Sequence, residues 1–222
     1  MRRPIATRDK TWAKNFARFL AKRGVTPNAV SGASVVCALG AFACLLATRN
    51  IEYSRWTQVA LWLGAALFVQ LRLLCNLFDG MLAVEFEKAS ALGAIYNDLP
   101  DRPADVLILV GAGYAISTFQ WSPTIGWIAA VLALMNAYVR VLGVAIGAQE
   151  RFNGPMAKPH RMAAITIACV LSAVETLFAW PHRVMGLALI FVAVGCVITI
   201  FNRLKLIARD LQSAKPETSS TR

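Results

Sequence analysis

Five stretches of this chain carry no charged side chain: Val25–Thr48, Trp56–Leu71, Val106–Val139, Met162–Val174 and Val184–Asn202. A helix needs roughly 20 apolar residues to cross the hydrocarbon core of a bilayer, where every backbone polar group must be satisfied within the protein. Most of the runs approach or exceed that length, and the third has room for two crossings. Gln120-Trp-Ser-Pro-Thr-Ile-Gly126 supplies the turn between them. With 57% apolar and 16% charged residues, the composition excludes an ordinary soluble domain of this size. The expected fold is an all-α integral membrane protein with six transmembrane helices at 27–48, 56–86, 103–119, 124–148, 161–180 and 184–208.

An even number of crossings puts both termini on one side, and Lys and Arg choose which. Arg2, Arg3, Arg8, Lys10, Lys14, Arg18, Lys22 and Arg23 precede the first span, while Arg203, Lys205, Arg209, Lys215 and Arg222 follow the last. The connection between spans four and five adds Arg151, Lys158 and Arg161; the opposite connections hold only Arg49, Arg55 and Arg183. Positive residues stay on the cytoplasmic side, so the termini are expected there, in a cell (inner) membrane. The formal charge of +11 is thereby assigned to topology and anionic headgroups, and no nucleic-acid recognition motif accompanies it.

Trp12, Phe16, Phe19 and Leu20 recur at helical spacing among basic residues, the pattern of a helix lying in the membrane interface. Residues 1–26 are accordingly read as an N-terminal amphipathic juxtamembrane helix, 27–208 as one transmembrane domain and 209–222 as a disordered cytoplasmic tail. Thr26 is placed to cap the first span and Pro27 to begin it. No apolar core follows Arg2 and Arg3 before Val25, so the first span is expected to serve as the membrane signal. The five cysteines lie in apolar runs without metal-type spacing and are read as packing residues. Glycines within the spans are read as close-contact points.

Chemistry concentrates in one place. Asp79, Glu85, Glu87, Asp98, Asp101 and Asp105, half of the twelve acids, fall between the end of the second span and the start of the third. Asn76 and Asp79 share a helix face, with Arg72 one turn before Asn76. A charge in that position needs a polar cavity or a partner such as Asp79, or else it is a structural ion pair. Gly80 and Ala83 leave the same face open to a ligand. Asn97, Asp101 and Asp105, spaced by four, form a second polar stripe expected to face the first. Carboxylates and amide carbonyls are the hard donors that Mg²⁺ or Mn²⁺ accepts, commonly together with substrate phosphates. The plainer alternatives are helix capping by Asp98 or Asp101 and solvation of Glu85, Glu87 and Lys88.

These residues resemble the signature of the CDP-alcohol phosphotransferases, D-x2-D-G-x2-A-R-x8-G-x3-D-x3-D. Here it reads Asn76-x2-Asp79-Gly80-x2-Ala83-Val84-x8-Gly93-x3-Asn97-x3-Asp101, with the spacing intact and Asn76, Asn97 and Val84 replacing two aspartates and the arginine. The paired replacement is similar to a bacterial subset of that family. The resemblance implies transfer of a phosphatidyl group from CDP-diacylglycerol to a polar alcohol, with release of CMP, in phospholipid biosynthesis. It implies Mg²⁺ or Mn²⁺ held by Asn76, Asp79, Asn97 and Asp101, with Asp79 and Asp101 catalytic and Asp101 the general base. Two fewer negative charges leave one metal or two open.

Gly80, Ala83 and Gly93 would border the substrate. Lys158 and Arg161 are placed for phosphate oxygens, although positive-inside topology alone also accounts for them, and Arg72 and Arg140 are further candidate anion partners. His160 is read as an interfacial hydrogen-bonding residue. Homodimerisation is a family-level expectation. Two other readings compete: an intramembrane prenyltransferase using Mg²⁺-bound diphosphate, and a non-catalytic lipid-binding or transport protein.

Overall fold

The computed structural model describes residues 10–50, 52–85, 95, 98–150 and 154–213, without the side chains of 84 and 85. Among them lie seven helices and no strand: α1 (Thr11–Lys22), α2 (Pro27–Ala47), α3 (Arg55–Glu85), α4 (Asp101–Tyr114), α5 (Ser122–Ala145), α6 (Lys158–Leu177) and α7 (Val184–Ser213). Five of these, all but α1 and α4, are long and apolar enough to cross a membrane. This is a multi-pass membrane protein.

Local chemistry sets the ends. The Thr26 hydroxyl accepts the Ala29 N–H at 3.2 Å while Pro27 occupies the first turn of α2, as expected. Glu175, buried near the end of α6, accepts the N–H groups of Arg183 and Val184 at 3.0 and 3.2 Å and so satisfies donors at the start of α7. Pro159 lies in the first turn of α6, making Lys158 its first residue. α7 continues to Ser213, into the segment assigned to the tail.

Contacts arrange the six longer-packed helices as a closed ring in the order α3, α2, α4, α5, α7, α6, with α4 also touching α7. Small residues allow this closeness. A Cβ built on Gly113 of α4 would lie 2.9 Å from Gly126 Cα and 2.8 Å from the Ser122 carbonyl oxygen of α5. Both neighbours are backbone, so only glycine fits that contact. Leu39, Leu67, Trp127, Val131, Phe191 and Phe201 point outward instead, as lipid-facing residues do.

α4 departs from expectation. A span at 103–119 was anticipated, but the helix begins at Asp101 and ends at Tyr114, giving 14 residues or about 21 Å. Ala104, Ile108, Leu109, Ala112 and Gly113 are all buried against neighbouring helices. Its apolar character therefore serves the bundle interior, and the apolar residues from Ile116 to Phe119 belong to the turn into α5. α1 packs Ala13 and Ala17 into a cluster with Val30, Leu77, Phe78, Met81 and Leu82, while Trp12, Phe16 and Phe19 stay exposed.

Candidate active site

Chain direction brings the C-terminal end of α3, the N-termini of α2, α4 and α6, and the C-terminal ends of α5 and α7 to one end of the ring. Asp79, Asp101 and Asp105 gather there with Arg72, Lys158 and Arg161.

Asp105 lies at the bottom of the cluster. Its carboxylate, 2% exposed, has Arg72 Nη2 at 2.7 Å and Arg161 Nη2 at 2.5 Å. Arg72, fully buried in α3, also reaches Asp101 Oδ1 at 3.4 Å, the Asp101 carbonyl at 3.2 Å and the Met162 thioether at 3.1 Å. Arg72 was expected to face a polar cavity or a partner such as Asp79, or to form a structural ion pair; the guanidinium turns to Asp101 and Asp105 of α4. Asp79 is two turns farther along α3, about 10 Å by helical rise, whereas Asp101 and Asp105 sit one turn apart on the facing helix.

Asp79, 2% exposed, has a neutral partner: Ser31 Oγ of α2 donates to its Oδ2 at 2.8 Å. Among the described residues, Asp79 Oδ1 and Asn76 Nδ2 are buried without a hydrogen-bond partner. Asp101 stands between Arg72 and the Lys158 ammonium, which contacts its Oδ2 directly. Lys158 is placed by the connection before α6. Gly154, at φ +144°, packs on Thr199, Met156 is buried with its N–H on Thr199 Oγ1 at 2.9 Å, and the Met156 carbonyl receives Arg161 Nη1 at 3.0 Å.

A second layer closes the rim. Arg140 of α5 donates to Asp98 at 2.7 Å and to Glu150 at 2.6 Å, and Arg102 reaches Asp98 at 2.5 Å. Burial pushes the Asp98 carboxyl upward, but Arg102 and Arg140 outweigh it and hold the group below its ordinary value. Arg140, anticipated as an anion partner, is thus committed to protein carboxylates. Capping is not what the acids do: α4 follows Pro100 with no side-chain cap. Arg203 of α7 is buried and donates to the Asn136 carbonyl at 2.6 Å.

Of the anticipated residues, Asp79, Asp101, Arg72, Lys158 and Arg161 converge, with Asn76 and Gly80 on the same stretch of α3 as Asp79 and Ala83 one turn beyond. Gly93 and Asn97 lie outside the described residues. Two participants were missed as site members. Asp105 was visible through its spacing of four from Asp101, whereas Ser31 gave no signal beyond a hydroxyl in an apolar run.

No group of three or more acidic, His or Cys side chains forms a ready metal cage among the described residues. The donor set nonetheless suits one hard cation: a buried carboxylate oxygen on Asp79 is open, the Asn76 amide lies one turn away, and Asp101 belongs to the same cluster.

A model of the CDP-alcohol phosphatidyltransferase family matches residues 24–201. This chain belongs to that family. A phosphatidylinositol phosphate synthase from Streptomyces avermitilis is 26% identical over 218 residues, covering 92% of this chain and 81% of the relative. The crystal structure of the Mycobacterium tuberculosis phosphatidylinositol phosphate synthase with CDP-DAG bound superposes with a TM-score of 0.73 at 19% identity, covering 93% of this chain and 98% of that one. The same enzyme with manganese and citrate gives 0.73 with 93% of each chain covered. As a family member the protein is a membrane transferase of phospholipid biosynthesis.

Proposed function

We propose that the protein transfers the phosphatidyl group of CDP-diacylglycerol to a polar alcohol, releasing CMP, at the site formed by Asp79 and Asp101. The observation that carries this reading is the open, buried Asp79 oxygen facing the same cluster as Asp101, within the family's motif spacing. The acceptor hydroxyl oxygen forms a bond to the phosphorus bearing the lipid, the bond from that phosphorus to the CMP oxygen breaks, and Asp101 takes the hydroxyl proton. Ser31 fixes the rotamer of Asp79. Arg72 holds Asp101 from below. Lys158, with three N–H donors and one facing Asp101, directs the others to phosphate oxygens.

A divalent cation held by Asp79 and Asp101, with the Asn76 and Asn97 amides as neutral donors, would offset charge developing on the departing CMP. Mg²⁺ or Mn²⁺ suits these oxygen donors, and manganese occurs with the Mycobacterium relative. Gly80, Ala83 and Gly93 border the diphosphate. Arg161 acts by orienting Asp105 and the loop ahead of Lys158; Arg140 acts by joining that loop to the residues before α4.

In this reading the chain makes six crossings, with α4 the short interior one; the excess of Lys and Arg on the side of the termini and the site supports a cytoplasmic orientation in the inner membrane, and α1 lies in the interface with Trp12, Phe16 and Phe19 toward lipid. Homodimerisation through the outward faces completes the reading. A cysteine at Ser213, in a background without the five native cysteines, is expected to react with an impermeant reagent only from the cytoplasmic side; periplasmic labelling contradicts this orientation.

The activity test is CMP release by purified protein with CDP-diacylglycerol, Mg²⁺ or Mn²⁺ and a panel of alcohols that includes inositol phosphate, since both relatives are named phosphatidylinositol phosphate synthases. Diphosphate released from a prenyl diphosphate, with no CMP from any acceptor, would overturn it.

A further inference from the structure

The described acids and bases at the centre of the site are equal in number. Asp79, Asp101 and Asp105 face Arg72, Lys158 and Arg161. The surrounding layer is paired in the same way, with Asp98 and Glu150 against Arg102 and Arg140. Asn76, one turn before Asp79 on the same helix, offers a donor without adding charge.

Two divalent ions would add four positive charges to a centre in which Asp101 and Asp105 already have protein counterions. In a partly buried setting that excess is strongly disfavoured. Of the three protein cations, Arg72 and Arg161 are inward, fixed by Asp105 and by backbone or thioether contacts. Lys158 differs: among the described residues its ion-pair partner is the outer oxygen of Asp101, and it is the first residue of α6. Asp79, in contrast, has no cation in hydrogen-bond contact and one oxygen without a partner among the described residues.

We infer that Lys158 is a resident cation of this active site, neutralising Asp101 as a metal ion would, and that the site holds a single divalent cation, centred on Asp79. An ammonium suits this role because it has three donors: one remains on the carboxylate while two meet substrate phosphate. The inference deepens the proposed reaction and rests on that reading for the substrate, but not for the ion count.

Mn²⁺ binding to the full-length protein in nanodiscs, followed by electron paramagnetic resonance of free and bound ion, tests it without turnover. Wild type is expected to bind one Mn²⁺ per chain. Lys158→Met, which frees Asp101, is expected to bind two at concentrations that leave wild type at one, and Lys158→Arg to stay at one. Asp79→Ala is expected to bind none. Two ions on wild type, or a Lys158→Met protein still limited to one, would overturn the inference. The wild-type count alone decides if the Met variant fails to fold. One ion without any CMP release sinks the proposed reaction and leaves this inference standing; two ions with CMP release does the reverse.

Discussion

Ser31 Oγ donates to Asp79 Oδ2 at 2.8 Å across 48 positions of sequence, joining α2 to α3 and leaving Asp79 Oδ1 as a buried oxygen without a partner among the described residues. The hydrogen bond orients a carboxylate without neutralising it. It thereby presents a charged oxygen to whatever occupies the site.

Ser31→Ala removes that orientation and little volume. A buried hydrogen bond to a charged group contributes about 1.5–3 kcal/mol to stability, so the unfolding midpoint is expected to fall, and CMP release to fall with the loss of Asp79's orientation. Activity within about twofold of wild type, measured at saturating CDP-diacylglycerol, would show that Asp79 does not depend on Ser31.

Asp105 has the opposite job, since it neutralises two buried guanidinium groups. Asp105→Asn takes the anion from Arg161 and leaves Arg72 only the longer 3.4 Å contact with Asp101, at a cost of about 3–5 kcal/mol. A large drop in the unfolding midpoint in detergent is expected. Adding Arg161→Met removes one stranded charge and should recover part of the loss. If the double variant is less stable than the single, the two arginines are not coupled through Asp105.

Two glycines separate packing from helix propensity. Gly113→Ala pushes a methyl against backbone of α5, and overpacking of this kind costs about 1–3 kcal/mol. Gly32→Ala meets nothing within 4 Å and serves as the comparison. Only the first is expected to lower the unfolding midpoint.

Asp98 gives a pH dependence of definite sign. Its folded-state pKa is held below the ordinary value, so its contribution to stability is complete above the unfolded value near 3.9 and is lost as pH falls through the lower folded value. The stability difference between wild type and Asp98→Asn is therefore expected to be constant from about pH 8 to 5 and to shrink toward zero in acid. With Asp98 partly exposed, it should stay below about 1 kcal/mol. A difference that grows on acidification contradicts the ion pairs with Arg102 and Arg140.

Much of the fold was legible because charge-free runs and Gln120–Gly126 carry their own physics: an apolar helix must be covered by lipid or by other helices. α4 marks the limit of that logic. Ile116 and Phe119 look equally suited to a span, and only packing shows that the helix has already ended at Tyr114. The site divides along similar lines. Same-helix spacing placed Asn76 with Asp79 and Asp101 with Asp105, but spacing is blind to partners on other helices. Asp79 was therefore the example of a partner for Arg72 instead of Asp105, and Ser31 went unnoticed. The placement of Lys158 on Asp101 depends on Gly154 and Met156 seating against α7, a tertiary contact no local pattern records.

The central claim is that Asp101 accepts the acceptor's proton at a site whose ion is bound by Asp79. Its most direct test is the rate of CMP release from CDP-diacylglycerol by wild type, Asp101→Asn and Asp79→Asn, with Mn²⁺ present and folding checked by the unfolding midpoint. Folded Asp101→Asn is expected to lose about 10²–10⁴-fold in rate, and Asp79→Asn to lose activity together with Mn²⁺ binding. An Asp101→Asn protein releasing CMP at the wild-type rate would contradict the account.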